Sequence, residues 1–408
     1  MTEIVVGDAR VVFGDCRDVL KTLADCSVDS VVTDPPYELG FMGKKWDGTG
    51  VAYDVSVWVE CLRVLKPGGH VLAFGGSRTW HRLAVAIEDA GFEIRDSIAW
   101  ISNKTFPKSL NVSKAIDKKL GAEREVVGSK LGLPGYHLSV SDGGQALGKG
   151  VSSSTLKTRL AASQITAPGS TEAKQWDGWG TGLKNVVEPI VMGRKPLIGT
   201  VAANVLEHGV GGLNIDASRV AGNVPSVPQP KTGGGIFSGK GGRNGELSSA
   251  PSGRWPANVI LDEYSAGLLD EQSGENPSRF FYCAKASKRD RNEGLGDLPD
   301  NVVGSFFGNF EVPGNKIGAN PDKPNQPGKN THPTVKPTTL MRYLIKLVTP
   351  AGGTVLDPFT GSGSTGKAAL LDGYKFVGAE LTEEYLPIIE GRLKWALQQQ
   401  SENGGKLF

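Results

Sequence analysis

Asp34-Pro35-Pro36-Tyr37 ends a β-branched run, "SVVTDPPY", residues 30–37. Each proline fixes its own φ and drives the residue before it extended. A carboxylate and a flat ring are therefore held in place at a strand exit before any ligand arrives. A second group lies far along the chain, in "TVLDPFTGSGSTGKAA", residues 354–369. It reads as a strand, a glycine turn and a helix. Gly361 and Gly363 let backbone approach a ligand closely, and the helix N-terminus offers free N–H groups. Glu380 follows about 20 residues later, at the tip of the next strand, where a carboxylate can accept both hydroxyls of a ribose. Gly361 to Lys367 also spells the start of a phosphate-binding P-loop. That motif then needs Ser or Thr for magnesium, and this chain has Ala368.

The elements that would position these groups are legible at both ends of the chain. Residues 1–102 alternate strand and helix patterns. "SVDSVVTD" reads as a buried strand, and "VSVWVECLRVLKPGG" as a helix closed by Pro67-Gly68-Gly69. "HVLAFGG" is a strand, Ser77 is expected to cap the next helix, and "FEIRDSIAWIS" is a further strand. Residues 331–408 continue in the same style with a helix at "TTLMRYLIKLV", strands at "TVLDPF" and "KFVGAEL", and a last helix from "EEYLPIIEGRLKWALQQQ". Strands alternating with helices predict a parallel α/β sheet. Neither end has enough strands for a doubly wound domain, so the two are expected to be halves of one sheet. The middle is rich in Gly, Lys, Ser and Pro and reads as loops around apolar islands.

Composition sets outer limits. The 408 residues suffice for a large core or two domains, and 38% hydrophobic with 22% charged residues is a globular balance. Net charge is only +2, so any polyanion site must be a local patch. The four cysteines show no C-x-x-C or metal-ligand spacing, so neither a metal nor a disulfide is expected. The opening "MTEIVVGDAR" has no apolar signal stretch and no apolar run reaches membrane-spanning length, which suggests a cytoplasmic protein.

Together, "DPPY", "DPFTGSG", "HPTVKP" (332–337) and Glu380 resemble the S-adenosylmethionine-dependent DNA amino-methyltransferases. The order, with DPPY first and F-x-G-x-G last, resembles their β class. "FMGKKWD", "EPIVMGRKP" and "FFYCAKASKRDRN" are similar to phage-borne members. The resemblance implies a Rossmann-like methyltransferase fold: a mostly parallel twisted sheet with one antiparallel edge strand and a large loop-rich insertion. It divides the chain into 1–103 (catalytic half), 104–184 (insertion), 185–200 (core edge strand), 201–330 (target recognition) and 331–408 (cofactor half). "DSIAWISNK" and "EPIVMGRKP" would form an antiparallel pair at the sheet edge.

The implied reaction is methyl transfer to the N6 amine of adenine in double-stranded DNA. That amine is a poor nucleophile, because its lone pair is delocalised into the ring. The Asp34 carboxylate and Pro35 carbonyl would accept its N–H bonds, Pro36 would stiffen the turn, and Tyr37 would stack on a base rotated out of the duplex. For the cofactor, the resemblance implies Asp15 and Cys16 in "VVFGDCRDVL", with Asp34, Asp357, Phe359, Gly361, Ser362, Gly363 and Glu380. Lys336 would pair with its methionine carboxylate, and Thr334 would donate to it. Asp15 alone also reads as a helix cap. Candidate DNA contacts are Lys44, Lys45, Trp46, Lys104, Lys108, Arg194, Lys195, Arg254, Lys288 and Arg289, with Lys285 and Arg291. Asp at position 34 favours adenine, since N4-cytosine members mostly carry Ser there. An N4-cytosine enzyme, alone or paired with a restriction enzyme, is the alternative on the same fold. A non-catalytic DNA-binding protein is the alternative of another class. A homodimer is compatible with either.

Overall fold

The computed structural model describes residues 2–40, 45–103, 109–129, 164–221, 253–284, 288–296, 298 and 329–402. Two compact units emerge: one comprises residues 1–104, 186–297 and 332–408, the other residues 105–185 and 298–331.

The first unit carries a ten-stranded sheet in the order β1-β2-β12-β11-β3-β4-β8-β5-β9-β10. Its strands are β1 (Glu3–Val6), β2 (Ala9–Phe13), β3 (Val28–Thr33), β4 (Leu65–Phe74), β5 (Glu93–Ile101), β8 (Val187–Arg194), β9 (Val259–Asp262), β10 (Tyr282–Ala284), β11 (Thr354–Asp357) and β12 (Lys375–Glu380). Ladders β2–β12–β11–β3–β4 are all parallel. The first and last stretches of the chain thus complete one sheet, as their patterning predicts. β11 leads outward to β12 on one side and β3 to β4 on the other. The direction of winding reverses between β11 and β3, and such a switch point opens a crevice at the carboxyl ends of the strands.

Two strands run against the rest. β1 is the antiparallel edge strand, a hairpin partner of β2. β8 lies antiparallel between β4 and β5. The expected pairing of residues 93–101 with 187–194 therefore forms, but inside the sheet. Val259–Asp262 and Tyr282–Ala284 extend the sheet beyond β5 in parallel. The apolar islands "VILD" and "YCA", expected in a separate recognition region, are strands of this same sheet.

One face is closed by helices Cys16–Lys21, Val55–Val64 and Trp80–Asp89. Their Val19, Leu20, Trp58, Cys61 and Ile87 join Val31, Val71, Leu356 and Ala379 in one buried cluster. Alternate strand residues point the other way. There Phe376 lies tight against Gly366 of helix Ser364–Leu371, which packs between helices Thr338–Val348 and Leu386–Glu402. Helix Val55–Val64 stops before Pro67-Gly68-Gly69, because Leu65 is already extended and starts β4. Thr79, rather than Ser77, precedes helix Trp80–Asp89. Among the described residues no helix is long and apolar enough to cross a membrane.

The second unit, expected to be loops, contains helices Val112–Leu120 and Thr171–Gln175 and the antiparallel pair β6 (Val126–Ser129) and β7 (Gln164–Thr166). Buried Asp117 organises it. Its carboxylate accepts from Arg124 at 2.5 Å, from the backbone N–H of Gly169 and Ser170 at 3.0 Å each, and from the Ser170 hydroxyl at 2.7 Å.

Lys367, the residue that imitates a P-loop lysine, is wholly buried. Its ammonium bonds Asp290 and Glu293 at 2.8 Å each and lies over the Trp395 ring. Asp290 in turn accepts the Thr338 N–H at 2.7 Å, so it also caps helix Thr338–Val348 from a distance in sequence. Asp290→Ala leaves Lys367 to Glu293 alone and removes the acceptor of the Thr338 N–H, and should destabilise the fold by about 2–3 kcal/mol. Denaturant titration measures this, and a loss below about 1 kcal/mol would refute the structural role of the pair.

Candidate active site

The carboxyl ends of β3, β4, β11 and β12 gather the motif residues. β8 contributes its first residues at the same end, because it runs the other way. Thr33 closes β3, and its hydroxyl donates to Asp357 at the end of β11 at 2.6 Å. Asp357 also accepts from the Phe359 N–H at 3.1 Å and the Thr365 hydroxyl at 2.6 Å. The DPPY turn and the glycine turn are thus tied together at adjacent strand tips. Burial pushes the Asp357 carboxyl up to about 6, against the pull of those donors.

Asp34 follows directly. One carboxylate oxygen, Oδ2, accepts from Lys336 Nζ at 2.7 Å, while Oδ1 is buried without a hydrogen-bond partner. Burial raises the Asp34 pKa, and the Lys336 charge opposes that rise. Tyr37 donates its hydroxyl to Glu188 at 2.7 Å. Lys336 lies 3.1 Å from the Tyr37 hydroxyl and 3.2 Å from the Glu188 carboxylate, with its ammonium over the rings of Tyr37 and Phe74. Burial works against the Lys336 charge, yet Asp34 and Glu188 outweigh it and keep its pKa raised. Pro35 and Pro36 hold the turn, and Thr79 and Tyr53 donate hydroxyls to the Tyr37 carbonyl at 3.0 and 3.2 Å. The result is a rigid ring beside a carboxylate with one free acceptor.

The glycine turn lies beside this cluster. Gly361 has φ +55, and a Cβ there would come within 3.0 Å of His332 Nε2. Glu380, at the end of β12, accepts the Gly361 N–H at 2.7 Å and the Thr382 N–H at 2.8 Å. Burial pushes its carboxyl up to about 7. Arg392 reaches under the turn and donates to the Ser362 carbonyl at 2.7 Å and its hydroxyl at 2.9 Å. Gly363, φ +74, begins helix Ser364–Leu371. The Phe359 ring stands 6.4 Å from that of buried Trp58. Asp15 caps helix Cys16–Lys21, and the Arg17 guanidinium beside it holds its carboxyl below the usual range. Burial pushes the Cys16 thiol up to about 12.

A family model described as DNA methylase, of the N6/N4 type, matches residues 28–126 and 248–391, more than half of the chain. The chain belongs to the N6/N4 DNA methylase family. Its members are S-adenosylmethionine-dependent amino-methyltransferases. Among relatives, DNA adenine methyltransferase YhdJ of Escherichia coli (strain K12) is 40% identical over 76 residues, 19% of this chain and 26% of that protein. Type II methyltransferase M2.DpnII of Streptococcus pneumoniae is 44% identical over 63 residues, 15% of this chain and 24% of that protein. The chain thus matches about a quarter of the length of either. The solved structure of PvuII DNA methyltransferase (cytosine-N4-specific) aligns over 95% of this chain and 87% of its own at 13% identity, with a TM-score of 0.46. The fold assignment rests on the strand order itself.

The methylase residues fit the nucleoside end of the donor. Glu380 presents a buried carboxylate beside a glycine whose missing Cβ leaves the backbone open. Lys336 pairs with Asp34 and Glu188, and Asp357 accepts from Thr33 and Thr365, so both bear internal contacts beside the place expected for the amino-acid headgroup. Thr334 is exposed, and its carbonyl bonds the His332 ring at 2.5 Å.

Among the DNA candidates, Arg194 and Lys195 lie at the opposite end of the strands. Arg194 pairs with Glu93 at 2.6 Å, and Lys195 caps helix Val55–Val64 through the Leu62 and Leu65 carbonyls at 2.7 Å each. Both are structural, which corrects their assignment as phosphate contacts. Arg291 donates inward to the His332 carbonyl. Arg254 stacks on Phe280 and bonds the Arg279 carbonyl at 2.9 Å. Lys44, Lys104, Lys108 and Lys285 lie outside the described residues, as do the side chains of Lys45, Trp46, Lys288 and Arg289. Glu188 escaped the sequence reading. It opens an antiparallel strand more than 150 positions from Asp34, and its one local signal is the Glu-Pro step inside "VVEPIVMG".

If Glu380 accepts ribose hydroxyls as a carboxylate, affinity for S-adenosylhomocysteine should rise with pH through about 7. Calorimetric titration tests this, and Glu380→Gln should bind more weakly with a flat profile. A pH-dependent profile retained in Glu380→Gln would assign the titration to another group.

Proposed function

We propose that this chain transfers the methyl group of S-adenosylmethionine to the N6 amine of adenine in double-stranded DNA, with the target base rotated out of the helix. The reading rests on one observation above all: Asp34 Oδ1 is buried beside Tyr37 with no partner. A buried acceptor is costly to leave unsatisfied, so this atom is built to receive a donor that arrives with substrate.

In the proposed reaction, one N–H of the amine donates to Asp34 Oδ1 and the other to the Pro35 carbonyl. These contacts draw the nitrogen toward tetrahedral geometry and free its lone pair. S-adenosylmethionine supplies an electrophilic sulfonium methyl. The nitrogen forms the new C–N bond as the C–S bond breaks, and the bonding pair leaves on sulfur. The methylated nitrogen then carries an extra proton, which the Asp34 carboxylate is placed to take. Tyr37 offers the stacking face, and its hydroxyl bond to Glu188 fixes the ring plane. Glu380, Gly361 and Phe359 would hold the nucleoside of the donor. Lys44, Lys45 and Trp46, which follow the DPPY turn directly, are the nearest candidates for contacts to DNA flanking the base. Aspartate at position 34 supports adenine over cytosine N4.

Incubating unmethylated duplex DNA with the protein, digesting it to nucleosides and weighing them should yield N6-methyladenine. N4-methylcytosine in its place would overturn the adenine reading. Asp34→Ala should lower kcat by at least about 10²-fold while S-adenosylhomocysteine affinity stays within about twofold. Undiminished turnover would remove Asp34 from the chemistry.

A further inference from the structure

We infer that Lys336 and Glu188 form a charge relay of opposite sign behind Asp34, positioning residues that hold Oδ2 and set the ionisation of the carboxylate so that Oδ1 is presented to substrate. This inference rests on the methyl-transfer reading of the same site.

The geometry is asymmetric in a useful way. Asp34 could direct either oxygen toward substrate. Lys336 takes Oδ2 at 2.7 Å, and the proline turn holds the Asp34 backbone extended, so Oδ1 is the oxygen left without a partner. Lys336 could itself swing among acceptors. Glu188 at 3.2 Å, the Tyr37 hydroxyl at 3.1 Å and the aromatic faces of Tyr37 and Phe74 enclose it. Lys336 comes from the segment before helix Thr338–Val348, Glu188 from the start of β8, and Asp34 from the end of β3. Three separate elements thus converge on one ammonium, which is 7% exposed as a residue.

The electrostatics follow from the same contacts. The ionised carboxylate accepts an N–H more strongly than the neutral acid, and only the ionised form can take the proton that the methylated nitrogen sheds. Asp34 is buried, which favours its neutral form. The titratable groups facing it are Lys336, Glu188 and the neutral Tyr37 hydroxyl, with Asp357 across the β3–β11 ladder. Lys336 lowers the Asp34 pKa, whereas Glu188 raises it directly and also competes for the ammonium. Deleting the two partners should therefore move Asp34 in opposite directions. Removing Lys336 shifts the pH above which the carboxylate is ionised upward. Removing the charge of Glu188 leaves Lys336 wholly to Asp34 and shifts it downward.

The experiment is the pH profile of kcat for DNA methylation by the full chain, with S-adenosylhomocysteine binding measured alongside. Lys336→Met should raise the acid limb by at least about one pH unit. Glu188→Gln, which keeps an acceptor for the Tyr37 hydroxyl, should lower the limb. Lys336→Arg should retain the wild-type limb. Thermal melting checks that each variant folds, and a Lys336→Met protein that does not fold leaves the decision to Glu188→Gln and Lys336→Arg. S-adenosylhomocysteine affinity should remain within about twofold in all three. Limbs that stay in place, or move the same way in both charge-removing variants, overturn the inference. Lost S-adenosylhomocysteine affinity in Lys336→Met with an unmoved limb would instead return Lys336 to the cofactor headgroup. A wild-type protein that methylates no DNA refutes the underlying reading, which is a separate outcome.

Discussion

One hydrogen bond joins the two halves of the site: the Thr33 hydroxyl to the Asp357 carboxylate, 2.6 Å, between the last residues of β3 and β11. Those strands are 324 positions apart in sequence and adjacent in space. The winding of the sheet reverses between them, which opens a crevice at their tips. The chain after β3 and the chain after β11 therefore emerge side by side, one as a proline-stiffened acid and the other as a glycine turn. Any geometry that brings a nucleobase to one and a nucleoside donor to the other depends on this junction. The buried state of Asp357 is part of its strength, since three donors converge on it and leave it no reason to turn outward.

Charge, not shape alone, distinguishes the two buried lysines. Lys367 faces Asp290 and Glu293, where it fastens the segment around helix Lys288–Asn292. Lys336 faces Asp34 and Glu188 at the strand tips. Both sit between two carboxylates, the arrangement that burial demands of an ammonium. Their settings differ in what else is nearby. Around Lys367 every polar partner is a protein group with a structural duty. Around Lys336 one carboxylate oxygen has none.

Much of this was legible in the sequence because its signals are local. Strand patterns at both ends, the DPPY rigidity, the paired glycines and the spacing to Glu380 each sit within a short window, and the structure brings Asp34, Asp357, Gly361 and Glu380 to one end of one sheet. What escaped has long-range causes. The loop-like composition of residues 105–185 concealed a unit organised by one buried aspartate, Asp117, whose partners are scattered over more than fifty positions. Arg194 and Lys195 read as phosphate contacts, because nothing in "MGRKP" tells that Glu93 and the carbonyls of a distant helix lie beside them. The ion pairs of Lys336 were hidden for a similar reason. Its partner Glu188 is found only once strand direction is known.

The reversed strand carries one more implication. β5 ends at Ile101 and β8 begins at Val187, and these two residues face each other in the ladder. The chain therefore leaves and rejoins the sheet at neighbouring points, so the intervening stretch acts as a detachable cassette. Its length and content could be exchanged without altering the register of a single strand. The strand that carries Glu188 thus keeps its register whatever the stretch between it and β5 contains.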